Sequence, residues 1–287
     1  MIEVSILKDS INSTGNRITT YLLTYPRFIH AELLTHRVFS RNSSSSRAIP
    51  FSKMVDKILE NPAMPIFWGK TQKGMQSEKE IDQESIELCK NIWKNAMYDS
   101  INYAKKLNEL GLHKQICNRI IEPYFNITVV LTGTEFGNFF NLRAHKDAQP
   151  EFQELAFKML ELYNYNKPEF LETGCWHIPF SEKMPKDFSI ENQLKVATAR
   201  CARTSYLTFN NEINFEDDFR LHDALKASGH WSPFEHCAQA LDSPVVSGNF
   251  VGWLQYRKTF LNENRKTFSY QDLNNRRVTN AKNNSMG

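Results

Sequence analysis

"THRVFSRNSSSSR", residues 35–47, packs one histidine, three arginines and five serines into thirteen positions. His36, Arg37, Ser40, Asn42, Ser45 and Arg47 offer cationic and hydroxyl donors in one short run. Arginine can grip phosphate oxygens with two parallel hydrogen bonds, so the run reads as a loop built for anions. Serine-rich loops also occur as plain flexible surface. The surrounding sequence has to decide between the two.

Working outward, "RITTYLLTY" (17–25) is apolar and β-rich enough for a buried strand, stopped by Pro26. A short helix is expected over about 27–36, then the serine cluster as a loop. "FSKMVDKILE" (51–60) forms a second helix, ended by Asn61-Pro62. Over 80–110, Ile81, Leu88, Ile92, Ala96, Tyr103, Leu107 and Leu110 recur at near-helical spacing, and Gly111 suits a C-cap. "EFQELAFKMLELY" (151–163) sets Phe152, Leu155, Ala156, Met159, Leu160 and Tyr163 on one face of an amphipathic helix, a core-packing pattern. A loop from about Lys167-Pro168 to Lys186 precedes helices near 190–203 and 216–228, the latter closed by Gly229. The class is α+β with much helix. No internal repeat is visible, and the tail from Asn262 is polar, Asn-rich and basic, which reads as a partly disordered segment or a partner-bound arm.

The 287 residues, 41% hydrophobic and 12% aromatic, can bury a substantial core as one large domain or two small ones. A formal charge of +3 is too mild for a phosphate-backbone binder, which argues against nucleic acid as partner. Glu3 interrupts the short apolar run at the N-terminus, and no stretch approaches the roughly 20 apolar residues of a membrane span. A cytoplasmic protein with no membrane partner is expected. The five cysteines (Cys89, Cys117, Cys175, Cys201, Cys237) are odd in number and lack a CxxC pair, against a disulfide framework or zinc ribbon. Cys175, His177, His236 and Cys237 could meet in space, but ligand spacing is absent and no metal is expected.

The pattern H-R-x-x-S-x-N-x-x-S-x-R from His36 to Arg47 resembles the signature of the flavin-dependent thymidylate synthases, R-H-R-x-x-S-x-N-x-x-S-x-R, with six of seven fixed positions present. "GTEFGNFFNLRAHKDAQPEFQELA" (133–156) is similar to that family's "NFxNLR…AQxEI" segment. "VATARCARTSY" (196–206) resembles its Ala-Arg-Val-Ser-Tyr stretch, and "GHWSPFEHCAQA" (229–240) its "HxSPFEH" turn and strand. The order differs: in the family the last two motifs come first, as if the same fold were circularly permuted.

The resemblance implies an α+β, thymidylate-synthase-complementing (ThyX-like) fold, a mostly antiparallel sheet flanked by long helices. It implies a single domain over 1–287, built from a 1–165 segment with the arginine and serine loop, a 190–260 segment with the SPFEH turn, and the 262–287 tail. The implied reaction moves a methylene from methylenetetrahydrofolate to C5 of dUMP, with FAD carrying reducing equivalents from NADPH, in a homotetramer. His36, Arg37, Asn138, Ser232 and His230 would meet the flavin. Ser45, Ser46 and Arg47, with Arg119, would hold the nucleotide phosphate and sugar. Arg143 would face the uracil and favour its N3-deprotonated form, since a nearby cation lowers an acid's pKa. No cysteine nucleophile is then required, and Cys201, although flanked by Arg200 and Arg203, is read as core.

Two departures bear on the substrate. Thr35 stands where the family has its first arginine, and Glu32 where a nucleotide-contacting glutamine is usual. A glutamate can accept from a donor-bearing base, so dCMP as substrate, or hydroxymethylation, is the alternative expectation. A second alternative is an inactive relative binding nucleic acid or a partner through the loop and the basic tail (Arg265, Lys266, Arg276, Arg277, Lys282).

Overall fold

The structure, a computed structural model, describes residues 2–204, 214–261 and 263. Strands β1 (Glu3–Asn12) and β2 (Arg17–Pro26) form a hairpin, followed by a 3-10 turn (Arg27–Ile29) and the single helical turn α1 (His30–Leu33). Strand β3 (Ser40–Ser43) precedes helices α2 (Phe51–Glu60), α3 (Gln83–Glu109) and α4 (Lys114–Ile121). Strand β4 (Asn126–Gly133) leads to α5 (Gly137–Arg143), α6 (Pro150–Tyr165) and the short β5 (Glu169–Leu171) and β6 (Trp176–His177). Helices α7 (Ile190–Ala202) and α8 (Phe215–Ser228), a 3-10 turn (Ser232–Glu235), and strands β7 (Ala238–Ala240), β8 (Val246–Ser247), β9 (Phe250–Val251) and β10 (Trp253–Gln255) complete the described chain.

Five strands form one mixed sheet in the order β3-β4-β2-β1-β5, antiparallel throughout except for the β1–β5 pair. Strand β2 is nearly buried along its whole length, as expected of a strand covered on both faces. The period of two sorts its side chains. Tyr21, Leu23 and Tyr25, with Ile127, Val129 and Leu131 of β4, meet Met97 and Ile101 of α3, Phe139 of α5, and Phe152, Leu155 and Met159 of α6. On the opposite face Val130 and Leu22 join Leu194, Val196 and Cys201 of α7, and Trp231, Phe234 and Tyr256. The segments before and after residue 166 therefore share one sheet as their common wall.

The short α1 departs from the expected helix over 27–36. The chain turns after Leu33 because other groups take its last carbonyls: Arg41 Nη1 donates to Leu33 O, Leu34 O and His36 O at 3.3, 3.2 and 2.9 Å, and Thr35 Oγ1 to Glu32 O at 2.7 Å. Ser40–Ser43 pair with the edge of β4 and form a strand, so only the rest of the serine cluster is loop. Helix α3 falls where its periodicity predicts, N-capped by Asp82, whose carboxylate accepts from Ser85 N. Its buried side, however, is Ile86, Met97, Ile101 and Ala104, while Leu88, Ile92 and Tyr103 are exposed. Helices α6, α7 and α8 lie within a residue or two of the expected ranges, and Gly229 closes α8 at φ 72°, a left-handed conformation that suits glycine. The expected loop over 167–186 carries the small strands β5 and β6. The 262–287 tail, apart from Glu263, and the Ser205-Tyr206 end of the third motif lie outside the described residues.

Candidate functional site

Arg143 is the last residue of α5, where a cation also complements the helix dipole. Its Nε donates to His36 Nε2 at 2.9 Å, its Nη1 pairs with Glu32 Oε2 at 3.1 Å, and its guanidinium carbon sits 4.7 Å from the centre of the Phe152 ring. His36 is 8% exposed and packs edge-on against Phe139. Burial first, then the charges of Arg143 and Arg41, push the imidazole down to about 4. It is neutral at pH 7, and its Nε2 lone pair is the acceptor that Arg143 requires. Arg37 and Thr35 are exposed on the same bend.

Arg143 and Glu32 open onto a cavity of about 870 Å³, whose walls include Phe28, Phe67, Trp93 and Lys146. Apolar and aromatic walls with a few convergent charges are the usual make-up of a small-molecule site.

Further along the run, Ser44 locks onto β4, its N donating to Thr128 O at 2.8 Å and its Oγ accepting from Thr128 N at 3.1 Å. Ser45 O accepts from Ala48 N and Ile49 N, closing a turn that leaves the Ser45 and Arg47 side chains exposed. Ser46 is buried, and its hydroxyl donates to Glu122, which also pairs with Arg119 at 2.8 Å. Asn118, fully buried on α4, donates to Ser46 O and Ile49 O at 2.6 and 3.1 Å. Glu122 and Asn118 were not among the expected site residues. The i,i+3 spacing of Arg119 and Glu122 was the readable signal.

The third expected element arrives from far along the chain. The Ser232–Glu235 turn packs on β3: Ser40 Oγ donates to Glu235 Oε2 at 2.9 Å, and Ser232 Oγ lies 3.3 Å from the Asn42 amide. Glu235 in turn holds Arg257 at 2.5 Å. His230 is exposed at the end of α8, its Nδ1 2.8 Å from Ser228 Oγ, and Asn138 is exposed on the first turn of α5. The run 32–47 thus touches all three groups: Glu32 and His36 meet Arg143, Ser40 and Asn42 meet the SPFEH turn, and Ser46 meets the Arg119 and Glu122 pair.

Neither His177 nor His236 offers a free nitrogen to a metal. His177 lies 2.9 Å from Ser10 Oγ and 2.9 Å from Thr20 Oγ1, and His236 2.8 Å from Thr132 Oγ1 and 3.0 Å from the Asn42 amide. Among the described residues no group of three or more His, Cys, Asp and Glu could hold a metal ion, and no helix is long and apolar enough to cross a membrane. Cys201 and Cys237 are fully buried, and burial pushes both thiols up, so Cys201 is held away from the thiolate despite its arginine neighbours. Cys175 is exposed.

An α+β scaffold thus sets Arg143 and Glu32 on the wall of an aromatic-lined cavity. Residues 16–169 match the thymidylate synthase complementing protein family, and the chain belongs to that family. The matched stretch contains the run 35–47, Arg143 and the whole of α6. It ends before the SPFEH turn. The chain is 26% identical over 162 residues to the flavin-dependent thymidylate synthase of Thermosipho melanesiensis, covering 54% of this chain and 67% of that protein. It is 26% identical over 132 residues to the enzyme of the same name from Pyrococcus abyssi, covering 45% of this chain and 47% of that one. Among solved structures, the UMP/dUMP methylase PolB from Streptomyces cacaoi bound with 5-Br UMP superposes with a TM-score of 0.48 at 16% identity, over 57% of this chain and 88% of that one.

Proposed function

We propose that this chain is a flavin-dependent nucleotide C5 methylase of the thymidylate synthase type, moving a methylene from methylenetetrahydrofolate to C5 of dUMP to give dTMP, with NADPH as reductant. The observation that carries the reading is Arg143, fixed by His36 and Glu32 on the wall of the 870 Å³ cavity. A guanidinium fixed there favours the N3-deprotonated uracil, which raises electron density at C5. His36 serves by orienting Arg143. Exposed Arg47 and Ser45, with Arg119 and the Ser46 turn behind them, hold the nucleotide phosphate and sugar.

The donor set fits FAD. Arg37 offers a charge to a diphosphate, and Asn138, Ser232 and His230 offer exposed polar groups to a heteroaromatic ring. FAD, when bound, supplies the redox chemistry, and the chain supplies orientation and charge. The docking of the Ser232–Glu235 turn on β3 supports a circularly permuted arrangement of the family's motifs. The exposed Leu88, Ile92 and Tyr103 of α3 provide an apolar surface for the homotetramer expected of such an enzyme.

A second reading keeps the chemistry and changes the base. Glu32 places a half-exposed carboxylate against Arg143, which accepts from an amino group and so favours dCMP, or a hydroxymethylated product. Purified protein with FAD, NADPH and methylenetetrahydrofolate is incubated with dUMP or dCMP in turn, and the products are weighed by mass spectrometry. A gain of one methyl on dUMP supports the first reading; methyl or hydroxymethyl addition to dCMP alone supports the second. A colourless protein that modifies neither sinks both.

A further inference from the structure

Glu151 stands on the wall of the cavity that Arg143 and Glu32 open onto, in the first turn of α6. It is 3% exposed, a burial that carboxylates rarely accept without a cation. Among the described residues no Lys, Arg or His side chain pairs with it. Two amides do: Ile66 N donates to Oε1 at 2.9 Å and Gln149 Nε2 to Oε2 at 3.0 Å. A carboxylate has roughly four acceptor positions, so one remains on each oxygen. The cavity is where donors for them come from.

The walls beside Glu151 are aromatic. Ile66 adjoins Phe67, which lines the cavity with Phe28 and Trp93. Trp93 is fastened to the same segment, its Nε1 donating to Ala63 O at 3.1 Å, and it meets Phe28 edge-on with 6.4 Å between ring centres. Such walls pack a planar ring, and a lone carboxylate among them reads one polar edge of it. That edge must carry two adjacent donors, because a carbonyl oxygen or a ring-nitrogen lone pair turned to the carboxylate is repelled.

We infer that Glu151, with Phe28, Phe67 and Trp93, forms the subsite for the pterin ring of the one-carbon donor, accepting from its 2-amino group and the neighbouring N3–H. The inference rests on the reading proposed above, which names the ligands. Among them only the pterin has such an edge. Uracil and the flavin ring each hold N3–H between two carbonyls. Cytosine and adenine set their amino group beside a ring-nitrogen lone pair, and nicotinamide has no ring N–H. The Arg143 guanidinium lies 4.7 Å from the ring centre of Phe152, the residue after Glu151, so the cation for the base and the carboxylate for the donor share one cavity.

Tetrahydrofolate, which lacks the transferable carbon, is titrated by calorimetry into the full-length protein saturated with FAD and dUMP. Wild type is expected to bind it about ten-fold more tightly than its analogue without the 2-amino group. Glu151→Gln keeps an oxygen for Ile66 N but turns an NH2 towards the donors of the ring. It is expected to weaken tetrahydrofolate about 30- to 100-fold, while dUMP and FAD, titrated separately, stay within about three-fold of wild type. A residue that only pegs the 63–67 segment to α6 would weaken all three ligands together. Equal affinity of wild type for the two pterins overturns the inference whether or not the variant folds. So does a folded Glu151→Gln that binds tetrahydrofolate as wild type does, or that weakens all three ligands alike. Wild type that binds dUMP and FAD but not tetrahydrofolate overturns the inference alone. Wild type that binds neither dUMP nor FAD overturns the proposed function and the inference with it, a result distinct from the others.

Discussion

Arg143 Nε donates to His36 Nε2 across 2.9 Å, although 107 positions separate the two residues in the chain. The contact needs a neutral imidazole with its lone pair on Nε2, and burial of His36 beside two guanidiniums secures that state. Arg143 is thereby held from one side by His36 and from the other by Glu32. Its fork is fully oriented before any substrate arrives.

Arg143→Ala is expected to lower kcat/KM with dUMP by about 10²- to 10³-fold, or about 3 to 4 kcal/mol, while flavin stays bound. Arg143→Lys does little better, because a single ammonium cannot span His36 and Glu32 with the same geometry. Steady-state kinetics on protein with a normal flavin spectrum checks both. Activity of the Ala variant within a few-fold of wild type would remove Arg143 from the reaction.

Glu32→Gln separates the two substrate readings. The carboxylate neutralises part of the Arg143 charge, so its removal strengthens the cation's pull on an N3 anion. Turnover of dUMP is expected to rise by roughly two- to five-fold, since a partly exposed pair contributes at most about 1 kcal/mol. If dUMP turnover falls while dCMP turnover was the wild-type activity, Glu32 reads an amino group on the base.

Much of this arrangement was legible in the sequence, because local pattern carries it. Strand β2 announces itself by an apolar run ending at Pro26, and α6 by six apolar positions on one face. Strand β1 was harder to see. Lys8, Asp9 and Ser10 break its alternation near a bulge, and they are tolerated because Asp9 pairs with Arg17 and Ser10 meets His177. Helix α3 carries apolar residues on more than one side, so periodicity located the helix but not the stripe that packs. The long-range contacts were out of reach. Nothing near Asn42 points to His236, 194 positions away, and nothing near Ser46 points to Glu122 except the latter's spacing from Arg119.

The cysteines give an independent check on mechanism. Cys117, Cys201 and Cys237 are fully buried and pack as small hydrophobes. Replacing all five with Ser or Ala is expected to lower the melting temperature and leave turnover per folded molecule within about three-fold, because no thiolate attacks the substrate. Brief alkylation of wild type should label exposed Cys175 first without loss of activity. A single cysteine variant that folds, holds FAD and makes no product would rule out chemistry without a thiolate.

Acid should unfold the protein through its buried histidines. Burial pushes His236 down to about 3 in the folded chain against about 6.5 unfolded, and holds His177 likewise well below its ordinary value. Between those limits the unfolded chain binds protons that the folded chain refuses, so stability falls as pH drops from about 6.5 towards 3. His236 contributes a slope of about 1.4 kcal/mol per pH unit within that window, and His177 adds to the decline in the same direction. Urea midpoints measured from pH 7.5 to 4 should decline accordingly, and His236→Gln should flatten part of the decline. A midpoint independent of pH from 6.5 to 4 would mean that these imidazoles are not held neutral.

Thr35→Arg tests whether the missing first arginine leaves an unfilled anion site. Arg41 already brings a guanidinium to this bend, where Nη1 binds the carbonyls of Leu33, Leu34 and His36 on either side of Thr35. Thr35 itself closes the bend by donating to Glu32 O, a hydrogen bond that an arginine at this position would forfeit. A second guanidinium beside the first adds repulsion and loosens the turn that carries Glu32 and His36 towards Arg143. The expected outcome is weaker binding of dUMP, by a few-fold to ten-fold, with no gain for FAD. Arg41→Ala, in contrast, should destabilise the fold by about 1.5 to 3 kcal/mol through loss of charge-assisted bonds to those carbonyls. Titration of both ligands against wild type and Thr35→Arg decides the matter. Tighter binding of either would show that Arg41 is only a clamp on the backbone and that position 35 faces an anion still short of one charge.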